Sequence, residues 1–125
     1  MPMRWTISHD ERLVMVTAEG PVTLPEIEAY FDAVVVAGAQ AHAKLFDASS
    51  MEARLSDADM MAIGARMSVY VKDQKWSGGP AAFVVTSRST REFVKRFINV
   101  AASPRQAKIF HALDKARRWL DEQTR

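Results

Sequence analysis

The chain has no cysteine among its 125 residues. That excludes a disulfide scaffold, a thiol nucleophile and any cysteine-ligated metal site, and it fits a cytoplasmic setting. Glycine and proline are sparse, at five each, too few for a flexible low-complexity chain. Long hydrophobic runs are missing. The longest, Tyr30 to Ala41, is broken by Asp32 and falls short of the about 20 residues a bilayer span requires, so no transmembrane segment is expected. No basic stretch followed by an apolar run opens the chain, so no signal peptide is expected. Catalytic signatures are also absent: there is no GxGxxG, P-loop, HExxH or GxSxG pattern.

What remains is ordinary globular material, 48% apolar and 26% charged. The length suits a single domain, residues 1–125, that can bury a core without staples. Met3 to Ser8 and the β-branched run Leu13 to Ala18 flank a polar turn, His9 to Arg12, and predict an N-terminal hairpin. Glu19-Gly20-Pro21 is expected to close the second strand. Thr23 with Glu26 reads as a capping box. Leu24, Ile27, Phe31, Val34 and Val35 then form an apolar stripe at helical spacing, ended by Gly38. Lys44 to Ala48 is a third strand, short and apolar enough to be covered on both faces. Ser56 opens a second helix whose Met60, Ile63, Gly64, Met67 and Val71 share one side. Ala81 to Thr86 is a fourth strand, and Ser89 with Glu92 a further capping box for a third helix carrying Phe93, Val94 and Phe97. Lys108 to Phe110 is a fifth strand, and Leu113, Ala116, Trp119 and Leu120 mark a last helix. The order β-β-α-β-α-β-α-β-α predicts a mixed α/β fold: a mostly parallel five-stranded sheet with an N-terminal antiparallel hairpin, covered by helices.

Net charge is only +2, but it is unevenly spread. Residues 1–87 carry seven basic and eleven acidic side chains; residues 88–118 carry nine basic and two acidic ones. A solvated dipolar surface is the plain reading, and an anionic protein or membrane surface is the functional one. Nucleic acid is not expected as a partner.

His9, His42 and His111 are far apart in sequence and form no metal-ligand pattern, so neither metal nor cofactor is expected. A serine nucleophile needs a base within reach. Ser49 or Ser50 with Asp47 could be served only by His42, which belongs at the other end of its strand. Asp57 and Asp59 lie two apart at a helix start, where they complement the helix dipole rather than form a catalytic pair. The stronger signal is location. Ser49, Ser50, Ser56, Ser87, Arg88, Ser89 and Thr90 all follow the carboxyl ends of strands three and four, the edge where parallel sheets usually receive ligands and partners, and Asp47, Asp57 and Arg91 complete the candidate set. The start of the third helix, beside Arg88 and Arg91, suits an acidic side chain, a phosphate or a lipid head group.

Four stretches carry a resemblance: the N-terminal hairpin, FDASSM (Phe46 to Met51) leading towards a helix, AAFVVTS (Ala81 to Ser87), and the closing KIFHALDKARRWL (Lys108 to Leu120). Together they resemble the SpoIIAA-like, or STAS/SEC14-like, family of small bacterial domains. The STAS side of that resemblance implies a phosphorylatable serine at the start of the helix after the third strand. Here that region is Leu55-Ser56-Asp57-Ala58, which makes Ser56 the candidate, with Ser49 a weaker one; the family's glycine is replaced by Ala58. The SEC14-like side implies a lipid or small apolar ligand, for which Met60, Met61, Met67, Trp76 and Phe97 are the candidate groove.

The expected function is therefore a non-enzymatic, STAS-like interaction or regulatory module, a homodimer, docking a protein partner through the loops after strands three and four. A carrier or sensor of a lipid or small apolar ligand is the alternative, and a small hydrolase with a Ser/Asp site stands third.

Overall fold

The computed structural model describes residues 2–72, 79–101 and 107–123. Its elements are β1 (Met3–Ser8), β2 (Leu13–Val22), α1 (Leu24–Val36), β3 (Ala43–Ala53), α2 (Asp57–Lys72), β4 (Ala81–Val84), α3 (Arg88–Ala101), β5 (Ala107–Phe110) and α4 (Leu113–Gln123). The five strands lie in the order β1-β2-β3-β4-β5, with β1 antiparallel to β2 and every later pair parallel. The expected mixed sheet and element order are both present.

Local chemistry sets the helix ends. The Glu26 carboxylate accepts from the backbone N–H of Thr23 at 3.1 Å and from its hydroxyl at 3.0 Å. At the other end of α1, Gly38 takes a left-handed φ of 68°. This lets Gly38 N–H reach Val35 O at 3.1 Å and Ala39 N–H reach Val34 O at 3.0 Å, a double closure that glycine permits at little cost. Ser56 and Asp59 cap α2 reciprocally, at 3.0 and 3.1 Å.

Sequential strand order decides where the helices go. Every crossover steps to the next strand in the same direction, so right-handed connections place α1, α2 and α3 on one face. The main core agrees: Val14, Val16, Ala18 and Phe83 of the sheet pack with Ile27, Tyr30 and Phe31 of α1, Met60, Ile63 and Met67 of α2, and Val94 and Phe97 of α3. The other face carries a smaller core, in which α4 sets Ala116, Trp119 and Leu120 against Leu13, Leu45, Ala82 and Val84. β4 feeds both, Ala81 and Phe83 to one side and Ala82 and Val84 to the other, as an apolar central parallel strand should. A sheet wound in one direction has no point at which strand order reverses. The crevice that such a reversal creates is therefore missing, and the carboxyl edge has to be judged on its side chains.

Two strands run further than their apolar content suggests. β2 passes through Gly20 and Pro21, and β3 continues to Ala53, because the two keep pairing from Glu19↔Ser50 to Val22↔Ala53. Beyond Ala18, β2 has no β1 partner, so the missing N–H of Pro21 is tolerated. Ser49 and Ser50 thus lie within a strand, not in a loop.

Candidate functional site

β3 outruns β4. The last pair between them is Asp47↔Val84, so Ala48 to Ala53 project past the end of β4 by roughly 20 Å at strand rise. The overhang begins at a bulge, where the β2–β3 register shifts between Thr17 and Glu19. Asp47 staples it: one carboxylate oxygen accepts the Ser49 hydroxyl at 2.6 Å and the Ser49 backbone N–H at 3.1 Å, a local turn that aspartate favours.

Where β4 has ended, hydroxyls take its place along the edge of β3. Thr86 Oγ1 donates to Ser49 O at 2.8 Å, and Thr90 Oγ1 donates to Met51 O at 3.0 Å. The two carbonyls that a longer β4 would have reached are thus satisfied by side chains. Ser87 completes the arrangement. Its hydroxyl donates to Thr90 Oγ1 at 2.8 Å and accepts the Thr90 N–H at 3.2 Å. Ser87 is therefore the cap of α3, not Ser89: the helix starts at Arg88, and Ser89 already lies inside its first turn, exposed.

Arg88 is exposed and Arg91 half-buried, and neither makes an ion pair among the described residues. Arg91 Nη1 lies 3.4 Å from Nε2 of His111, which brings the β5–α4 turn to the rim. Ser49, Ser87, Arg88 and Arg91 are therefore gathered at one end of the sheet. Ser50 is exposed on the overhang opposite Glu19. Ser56 and Asp57 stand apart from this group. Asp57 pairs with Arg96 at 2.6 Å, two turns along α3 from Arg88, roughly 12 Å at helical rise. The expected set is thus split between the rim and the contact of α2 with α3.

The described members of the expected apolar groove do not share one surface. Met60 and Met67 are buried in the main core, Met61 is 75% exposed, and Trp76 lies outside the described residues. The physical reason is spacing: Met60, Ile63 and Met67 share a helical face, and Met61 is rotated about 100° from Met60. Phe97 does line a cavity, with Val16, Ala18, Tyr30, Phe46 and Phe93, but its volume is only about 50 Å³.

Sequence reading missed three contributors. Thr86 looks like the end of a strand and Arg96 like a solvated helix residue. His111 shows its relevance only once β5 is placed beside β4. A further correction concerns the imidazoles: His9 and His42, far apart in sequence, are in contact at 3.1 Å. Both belong to the amino end of the sheet, away from the rim, because Leu13 pairs with Ala43. Among the described residues no cluster of three or more His, Asp or Glu side chains could hold a metal ion, and no helix is long and apolar enough to cross a membrane.

The fold these elements define is a SpoIIAA-like α/β domain. Among solved structures the chain is similar to the crystal structure of an uncharacterized protein of the DUF3478 family, with a SpoIIAA-like fold, from Shewanella loihica PV-4. The two share 16% sequence identity with a TM-score of 0.59, over 94% of this chain and 91% of that one. No family model matches the sequence, and no curated protein matches it. At this identity the likeness is one of fold.

Proposed function

We propose that the protein is a non-enzymatic, STAS-like interaction module that docks an acidic surface of a regulatory protein through the rim at the carboxyl ends of β3 and β4. The observation that carries this reading is a division of roles along the rim. The hydroxyls of Ser49, Thr86, Ser87 and Thr90 are engaged in holding the bulge, the overhang and the α3 cap. Arg88 and Arg91 are left without carboxylate partners among the described residues, on a chain segment rich in positive charge. Guanidinium groups pair bidentately with carboxylates, and the exposed Ser50 and Ser89 add donors at the margin. Ser56, exposed at the α2 cap, is the proposed phosphorylation site. A phosphate there would gain from the helix dipole and would crowd Asp57, loosening its pair with Arg96. A homodimer is part of the proposal, with the exposed Met61 and Val69 of α2 available to the contact.

A carrier of a small apolar ligand is the second reading, favoured by the apolar walls of the cavity beside Phe97. Its volume of about 50 Å³ counts against a lipid, since ligand sites usually hold about 300–1,000 Å³. The Ser49–Asp47 contact suits a hydrolase less well, because the same carboxylate oxygen also holds the Ser49 N–H and His42 sits at the far end of the sheet. Native mass spectrometry of freshly purified protein separates the readings. Docking predicts a dimer free of stoichiometric small ligand; a monomer carrying one lipid per chain would overturn it.

A further inference from the structure

At the end of the sheet opposite the rim, two imidazoles join separate segments. His9 lies in the β1–β2 turn and His42 just before β3. Nδ1 of His9 and Nε2 of His42 are 3.1 Å apart, with the rings edge to face at 81°. His9 is exposed; His42 is only 8% exposed and closely held. Its backbone N–H donates to Ala39 O at 3.1 Å, and its carbonyl accepts from the buried Lys44 ammonium at 2.7 Å. A Cβ added at Gly79 would lie 2.3 Å from that carbonyl oxygen. The remaining ring nitrogen, Nδ1 of His42, is buried with no hydrogen-bond partner among the described residues.

That buried nitrogen favours one placement of the hydrogen. A buried N–H without an acceptor is costly, and a bare acceptor less so. The neutral His42 ring therefore carries its hydrogen on Nε2 and donates it to Nδ1 of His9. Protonating His42 would place an N–H at Nδ1 where no described residue receives it. Metal coordination through Nε2 would do the same, so this pair does not suit a metal. Protonating His9 at Nδ1 would remove the acceptor. Burial foremost, then the charges of His9, Lys44 and Arg12, hold the His42 pKa below its ordinary 6.5. Of the turn's acidic groups, Asp10 is exposed and Glu11 faces Arg117 of α4 at 3.7 Å. Ala39, Gln40, Ala41, Gly79 and Pro80 bring no charge.

We propose that His9 and His42 form a pH-sensitive latch, closed while both rings are neutral, that releases the β1–β2 turn from the segment before β3 as the medium acidifies. The two joined segments and the strand starts beside them also supply Glu11, Leu13 and Ala43 to a cleft of about 290 Å³ that Arg117, Leu120 and Asp121 of α4 complete. Release of the turn draws Glu11 away from Arg117 and widens that cleft.

The test is imidazole nitrogen NMR and amide hydrogen exchange, corrected for intrinsic rate, on the full chain between about pH 7.5 and pH 5. At neutral pH, His42 shows the Nε2–H tautomer. As pH falls below 6.5, opening of residues 9–12 and 40–43 rises by up to about tenfold per pH unit, because the open state takes up the proton first, and it levels off below the depressed pKa. In His9→Ala, which removes an exposed side chain, the turn exchanges rapidly throughout and its pH dependence is lost. An Nδ1–H tautomer at neutral pH, an ordinary His42 titration, or unchanged pH dependence in His9→Ala would each overturn the latch.

Discussion

Ser87 and Ser89 stand two positions apart at the start of α3, and only geometry separates their roles. The Ser87 hydroxyl receives the Thr90 N–H and steadies the Thr90 hydroxyl, whereas Ser89 is exposed inside the first turn. Ser87→Ala should therefore cost about 1 kcal/mol, the usual loss for a missing cap, while Ser89→Ala should stay within about 0.5 kcal/mol of the parent; urea unfolding of both variants compares them directly. The sequence offers Ser89-x-x-Glu92 as a capping box, and that pattern is attractive because it is complete. What displaces it is tertiary: Thr90 is needed to reach Met51 O, and this starts the helix earlier. The Thr23–Glu26 pair was legible because no distant partner competes for it. The His9–His42 contact was not read from the sequence, because it follows from topology: parallel pairing of β2 with β3 brings the two strand starts together.

At the scale of elements, periodicity identified the helical faces well and the strand ends poorly. The Ile27, Phe31, Val34 stripe of α1 and the Met60, Ile63, Met67 face of α2 are both buried, because a helix declares its buried side within its own sequence. β3 does not declare its length. Its second half is half polar, and it stays a strand because β2 pairs with it beyond the bulge. The bulge itself is a relation between two strands and cannot be seen in one. α4 gives the sharpest test of layer arrangement. Leu120 is 2% exposed and belongs to the smaller core with Leu13, Leu45 and Val84. Leu120→Ala should cost about 2–5 kcal/mol in chemical denaturation, as cavity-forming changes do. A loss below about 0.5 kcal/mol, the range of surface substitutions, would mean that α4 does not cover this face.

For the whole molecule, the sheet separates two ends with different chemistry. The carboxyl end presents Arg88, Arg91 and His111 over a frame of engaged hydroxyls, and the amino end holds the histidine pair and the buried Lys44. The fold class was legible because strands and helices alternate along most of the chain. The rim's location followed from that alternation, but its make-up did not. Of the expected hydroxyls, those of Ser49 and Ser87 are engaged within the rim, which leaves the guanidinium groups, with Ser50 and Ser89 at the margin, as the proposed contacts. A photo-crosslinking residue in place of Ser89, compared with one in place of Glu122 on α4, tests docking at the rim most directly in cells that express the protein. Docking at the rim predicts protein adducts from position 89 that disappear in the Arg88→Glu/Arg91→Glu background, with few from position 122. Equal capture at both positions, or capture at 89 that survives the charge reversal, would contradict it.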